Sequence, residues 1–284
     1  MPATYAHRRF GAEIFERLPE NLKNIVAKER EVFDIGLHGP DIFFYYKVLS
    51  KNDVNRHGNE MHDEPGSAFF GPAREVYLKA ENRDAALSYL LGFLAHYALD
   101  SACHPYIENK IRVSGITHAE IESELERFFL EMDGKDALSA VTYDHIHATD
   151  GNAAKIAPFF PRFTAEQVKK TLSSFRYYCE WLRTPHQPKR GFVRFVLRLS
   201  GHYGELKGQV MAKKPIEGCR DSNERLFKLY KKAADHYFVL AGAYLSYLEK
   251  GGELSPLFDP TFGPNEGWEE IPVLSYEEEI RYSV

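Results

Sequence analysis

The sequence predicts an all-α protein, a single multi-helix domain. Three observations carry the prediction. Apolar residues recur at three- and four-residue spacing through most of the chain, and helix-capping residues punctuate the runs. No segment shows strand-like alternation, and the chain has no internal repeat or low-complexity block. Residues 85–103 are apolar on nearly every side apart from one His and one Asp, which is the pattern of a helix buried in a core.

The chain has 284 residues, of which 44% are hydrophobic, with 17 Tyr and 20 Phe, enough for a substantial core. Its organisation reads as one helical domain over 1–250, with the metal site drawn from 1–130, followed by a surface tail over 251–284. A net charge of -5 argues against general nucleic-acid binding, which needs a basic excess. The three cysteines, Cys103, Cys179 and Cys219, are odd in number and lack CxxC spacing, so free thiols in a reducing compartment are expected. The opening MPATYAHRRFGAEIF has no basic segment leading into an apolar run. A cytoplasmic location is expected from these two features. The 85–103 stretch only just reaches the length of a membrane span and contains His96 and Asp100, so a core helix is expected and no transmembrane segment.

In chain order, 10–17 reads as a short amphipathic helix ended by Pro19, and 21–34 as a second helix. His7 precedes the first and, taken alone, reads as a surface or capping residue. His38 and Asp41 flank a Gly-Pro turn that breaks the preceding helix. Asp41 is placed to cap a helix over 42–49. RHGNEMHDEPG reads as a loop holding His57 and His62. Asn82 caps the long apolar helix, which is expected to loosen at His104 because Pro105 disfavours helical backbone before it. Cys103 reads as a buried apolar residue. Thr117 and Glu120 form a capping box that opens the next helix and sets His118 and Glu122 one turn apart. Glu124 and Glu126 read as solvated charges on its wetter side. Residues 135–148 and 165–184 are helical by pattern, with His145 and His147 on the surface. Residues 221–250 form a long final helix stopped by Gly251-Gly252.

The chemistry concentrates in GFLAHYALDSACHPY. His96, Asp100 and His104 are four residues apart and share one helix face. Imidazoles and carboxylates without thiolates are the usual oxygen and nitrogen ligands of zinc. An i, i+4 pair lets one helix chelate one ion, and the central carboxylate can bridge two. Such clusters suit phosphodiester hydrolysis.

MPATYAHRRFG, GPDIFF, HYALDSACHP and HAEIE together resemble the zinc-dependent phospholipase C family, which shares an all-helical fold with the S1/P1 nucleases. The resemblance covers roughly residues 1–130. It implies two to three zinc ions. Asp41, His62, His96 and Asp100 would hold the first, His104, His118 and Glu122 the second, and Asp100 with His7 a third. It also implies a metal-activated hydroxide attacking phosphorus, with Asp41 as general base, and a phospholipid or small phosphodiester as substrate. The sequence departs from the family pattern at three points. It lacks the N-terminal Trp of the secreted members, so His38 is a further candidate partner for His7. Asp100 to His104 is four residues where the secreted enzymes have six. Ile42 stands where choline-recognising members carry Tyr, so the headgroup is left open.

Three other readings compete. A nuclease or nucleotidase on the same fold would need base-stacking aromatics and phosphate-binding basic groups. The His62-Asp63 dipeptide, with His38 and Asp100, resembles an HD-type phosphohydrolase but leaves His104, His118 and Glu122 unused. A metal-binding protein that has lost catalysis is the non-enzymatic reading. Residues 190–203 carry Arg190, Arg194 and Arg198 at four-residue spacing on an apolar background. They read first as a core helix with a basic solvent stripe, and second as a peripheral membrane contact.

Overall fold

A computed structural model describes residues 4–48, 52–199, 201 and 203–284, and the side chain of Glu205 is not described. The chain is all-α, and no strands form among the described residues. The helices are α1 (Thr4–Arg17), α2 (Glu20–Lys28), α3 (Arg30–Gly36), α4 (Asp53–Asp63), α5 (Gly66–Lys79), α6 (Arg83–Ser114) and α7 (His118–Met132). They continue as α8 (Asp150–Ile156), α9 (Ala165–Leu182), α10 (Gln187–Leu199), α11 (Tyr203–Leu206), α12 (Arg220–Lys250) and α13 (Tyr276–Arg281).

Helix α6 is the axis of the molecule. Every residue from 85 to 100 is buried, as its all-round apolar character requires. Asn82 caps its start by accepting from the Ala85 N–H at 3.0 Å. The helix does not loosen at His104 but runs through Pro105 to Ser114. Tertiary contacts beyond the proline hold it: Asn109 donates to the Ile271 carbonyl at 2.6 Å, and Lys110 meets Asp221 at 2.5 Å. Gly115 then ends it in the left-handed region, at φ 71°. Helices α3, α1 and α12 pack around this axis. Gly36 and Gly92 permit the closest approach, since a Cβ on Gly92 would sit 2.2 Å from the Phe33 carbonyl oxygen.

Several expected elements differ. The 21–34 segment is two helices, α2 and α3, broken at Glu29. Glu29 is claimed by tertiary partners: its carbonyl accepts from Ser88, and its carboxylate meets Asn82 and Lys155. Residues Gly39–Tyr45 form a 3-10 helix in place of an α-helix over 42–49, whose expected end lies outside the described residues. RHGNEMHDEPG is not a loop, because 53–63 is helix α4, capped by Asn52. Residues 135–148 contain no α-helix. Asp136 accepts from the Leu138 and Ser139 N–H groups there, a local turn that competes with helix.

Glu124 and Glu126 are buried, not solvated. Glu126 receives the first turn of α1, accepting from the Tyr5 N–H, and Arg127 pairs with Glu124. In α10 the expected polarity holds only in part: Val193 and Leu197 are buried and Arg198 is exposed. Arg190 is buried while Phe192, Phe195 and Leu199 face outward. Ser200 and His202, within that same expected segment, lie outside the described residues. Residues 251–284 run along the outside of the bundle, yet Phe258 and Phe262 reach fully into the core. All three cysteines are free, and burial raises the Cys103 thiol. No helix among the described residues is long and apolar enough to cross a membrane.

Candidate metal centre

The ladder on α6 meets side chains from four other elements. One ligand atom each from Asp41, His62, His96 and Asp100 lies within 4.8 Å of the other three. A second group, His104, His118 and Glu122, satisfies the same condition. Asp100 joins the parts. Its Oδ2 is 3.0 Å from His96 Nε2, 3.9 Å from His62 Nε2 and 3.9 Å from His104 Nδ1. Its Oδ1 is 3.3 Å from His7 Nε2.

Local structure aims each group. Asp41 lies inside the 3-10 helix, and its side chain caps nothing; both oxygens are buried without a hydrogen bond. Helix α4 carries His62 to 3.0 Å from Asp41 Oδ1. The capping box at Thr117 sets the start of α7, so that His118 Nε2 stands 3.1 Å from Glu122 Oε1. His104 Nε2 approaches the same oxygen at 3.8 Å. Gly39 seats the turn against the site: its φ is 44°, and a Cβ there would meet the His96 ring at 2.2 Å.

Three imidazoles are held in one tautomer. His62 Nδ1 donates to the Gly58 carbonyl at 2.7 Å, His96 Nδ1 to Leu37 at 3.3 Å and His104 Nδ1 to Phe262 at 2.6 Å. A carbonyl can only accept, so Nδ1 carries a proton and Nε2 is the nitrogen that faces the carboxylates. This is the carbonyl-oriented arrangement found behind metal-ligating histidines.

The carboxylates and imidazoles of the cluster also hold one another in the charged form. Burial opposes the Asp100 charge, but His96, His104 and His7 hold its carboxyl well below the usual range. Burial likewise opposes the Glu122 charge, and His118 and His104 hold it well below its ordinary value. Burial would lower His118, yet Glu122 and Glu108 raise it to about 10.

These residues fit a zinc ion on two grounds. Both Asp41 oxygens, His62 Nε2, His96 Nε2, Asp100 Oδ2 and Glu122 Oε2 are buried without a hydrogen bond, though they lie close together. Orphaned buried polar atoms are costly, and a cation between them removes the cost. The donors are imidazole nitrogen and carboxylate oxygen, the set zinc accepts. A cavity of about 20 Å³ adjoins the cluster, with His7, Asp100, His104 and Glu122 among its lining residues.

Not every expected residue converges. His38 is paired with His145 at 2.7 Å between their Nε2 atoms, and its ring centre is 6.2 Å from that of His7. His145 is therefore buried, not a surface residue, while His147 is exposed. Burial, His145, His7 and His96 push His38 well below its ordinary value, which keeps it neutral. His57 is half-buried between Phe43 and Phe163. Asp63 is exposed on α4, which removes the residue an HD-type site requires. Sequence reasoning missed Phe262, whose ring packs on His62 and His96. It lies 158 residues beyond His104, and no local motif marks it.

Fold and site together define an all-helical protein whose central helix gathers a two-part His/carboxylate cluster suited to metal. A family model described as zinc dependent phospholipase C matches residues 6–174, which include all eight candidate ligands, and the chain belongs to that family. At the level of the family, the activity is that of a zinc-dependent phosphodiester hydrolase. Searches of curated proteins and of solved structures found no match.

Proposed function

We propose that this chain hydrolyses phosphodiesters in the manner of a phospholipase C, with phospholipid-like esters as its first substrates. The observation that supports this most is the set of buried, orphaned donor atoms facing one another from Asp41, His62, His96, Asp100 and Glu122. In this reading Asp41, His62, His96 and Asp100 hold one zinc, and His104, His118 and Glu122 hold a second. His7 and Asp100 are the two groups available to a third, because His38 is engaged by His145.

Zinc, when bound, supplies Lewis acidity toward the phosphate and activates water at neutral pH. Asp41 has no hydrogen-bond donor on either oxygen, so it is free to accept a proton from the attacking water. The carbonyls of Gly58, Leu37 and Phe262 keep the three imidazoles in place throughout. His118, whose side chain is 38% exposed, marks the open edge through which the phosphate enters. Ile42 is wholly buried and offers no aromatic face to a quaternary ammonium, so the headgroup need not be choline. The three free thiols accord with a cytoplasmic, reducing setting.

The test is hydrolysis of bis(p-nitrophenyl) phosphate and of a short-chain phospholipid by zinc-loaded protein, beside the His96→Ala variant. Turnover lost in His96→Ala, with helical content intact, is the expected result. A folded, zinc-loaded protein that turns over neither ester overturns the reading and leaves a metal-binding protein without catalysis. Preference for a dinucleotide would instead favour the nuclease alternative.

A further inference from the structure

Helix α10 stands apart from the main core. Val193, Leu197 and Val210 form a small satellite cluster of their own, against which Trp181, Leu182, Tyr203 and Leu206 pack. Having buried that face, α10 still carries a second apolar stripe. Phe192 is 60% exposed, Phe195 56% and Leu199 71%, at the i, i+3, i+7 spacing of one helix face. Exposed side chains of this size on one stripe mark an interaction surface.

The charges around the stripe select the occupant. Residues 183–214 hold eight Lys or Arg and a single acidic residue, Glu205, in a chain whose net charge is -5. Some of these cations are used: Arg183 and Lys189 pair with Glu180, and Lys207 with Glu120. Arg190, Arg194, Arg198, Lys213 and Lys214 make no ion pair among the described residues. Arg190 is only 3% exposed, yet its two terminal nitrogens have no hydrogen-bond partner. The charged groups it faces, Arg194 and Arg127, are cations that lower its pKa after burial does. Arg198 also lies over the Tyr203 ring, 4.8 Å from its centre. Aromatic residues beside arginines that have no acidic partner among the described residues match the two layers of a bilayer interface, apolar below and anionic above.

We propose that α10 is a docking surface for an anionic phospholipid bilayer, with Phe192, Phe195 and Leu199 inserting and Arg194 and Arg198 contacting lipid phosphates. The chain that follows α10 packs against the helix that carries part of the metal centre. The Lys207–Gln209 turn lies against the start of α7, so close that a Cβ on Gly208 would meet the Glu120 nitrogen at 2.5 Å. That turn of α7 carries His118, the half-exposed member of the cluster. The inference does not depend on the catalytic reading, because binding to vesicles is measured without turnover.

The experiment is flotation of the full-length, zinc-loaded protein with vesicles of phosphatidylcholine alone or mixed equally with phosphatidylglycerol. The protein is expected to bind the mixed vesicles, and raised salt is expected to weaken that binding. Replacing Phe192, Phe195 and Leu199 with Ser, or separately Arg194→Gln with Arg198→Gln, is expected to weaken binding about tenfold or more. Helical content and hydrolysis of a soluble phosphodiester should be unchanged in both variants. Absence of binding to the mixed vesicles overturns the proposal, as does binding that neither variant alters. A dimer in solution that the serine variant dissociates also overturns it, because a second copy then covers the stripe. Vesicle binding by a protein that hydrolyses nothing supports the docking surface and removes the catalytic reading instead.

Discussion

His104 Nδ1 donates to the carbonyl of Phe262 at 2.6 Å, across 158 residues of chain. The contact ties the C-terminal segment to the central helix and fixes which nitrogen of His104 faces Glu122. Two neighbouring contacts lock the segment in place: the Gly263 N–H donates to the His62 carbonyl at 2.9 Å, and the Tyr97 hydroxyl donates to Pro260 at 3.0 Å. A stretch that reads as a surface tail is thus the wall behind two candidate ligands.

Removing the Phe262 ring should cost both stability and metal. Phe262→Ala deletes a fully buried ring packed on Tyr97, His96 and His62, at a cost of about 3–5 kcal/mol. Zinc affinity should fall about tenfold as the imidazoles lose their backing. Urea unfolding and competition with a chelator measure the two effects. Unchanged zinc affinity would show that the wall does not orient the ligands.

The two groups should lose metal separately. Glu122→Ala leaves Asp41, His62, His96 and Asp100 intact, so elemental analysis should find the second ion missing and the first retained. Asp100→Asn should weaken both, because its oxygens approach His96, His62, His104 and His7. Equal zinc content in wild type and Glu122→Ala would exclude the second group as a site.

Gly39 and Gly115 provide a matched pair. Both have positive φ, so alanine at either costs about 1–2 kcal/mol of backbone strain. A Cβ at Gly115 meets nothing within 4 Å, whereas one at Gly39 meets the His96 ring. Gly39→Ala should therefore cost more than Gly115→Ala, and it alone should impair zinc binding. Calorimetric unfolding of the two variants, each with and without zinc, tests the contrast.

Glu126 should impose a pH dependence on stability. Burial raises its pKa from 4.5 to about 8, against the backbone donors of Tyr5 and Ala6. Below about 4.5 the carboxyl is protonated in both folded and unfolded chains. Between that pH and about 8 the unfolded chain gives up the proton while the folded chain keeps it. Stability is therefore greatest at the acid end of this window and falls as pH rises through it. Glu126→Gln should flatten that slope, as read from thermal midpoints across the window. A slope that persists in the variant would assign it to other groups.

The ladder was legible because a helix puts residues four apart on one face whatever surrounds it. His96, Asp100 and His104, and likewise His118 and Glu122, are a consequence of sequence spacing alone. The Thr117 capping box and the Asn82 cap are equally local, and both form as read. Features that depend on distant partners were not legible. The break at Glu29 follows from Ser88, Asn82 and Lys155, and the burial of Glu126 from the docking of α1.

By itself, then, the sequence determined the helical class, the buried central helix and the residue types that face one another along it. These follow from periodicity and capping, which act within a few residues. Only the tertiary structure decided that His38 meets His145, that Asp63 faces solvent, that Phe262 backs the site and that α10 turns its phenylalanines outward. Each of these depends on which surfaces meet across the bundle. Burial and pairing there are settled by contacts between residues far apart in the chain, which no local pattern encodes.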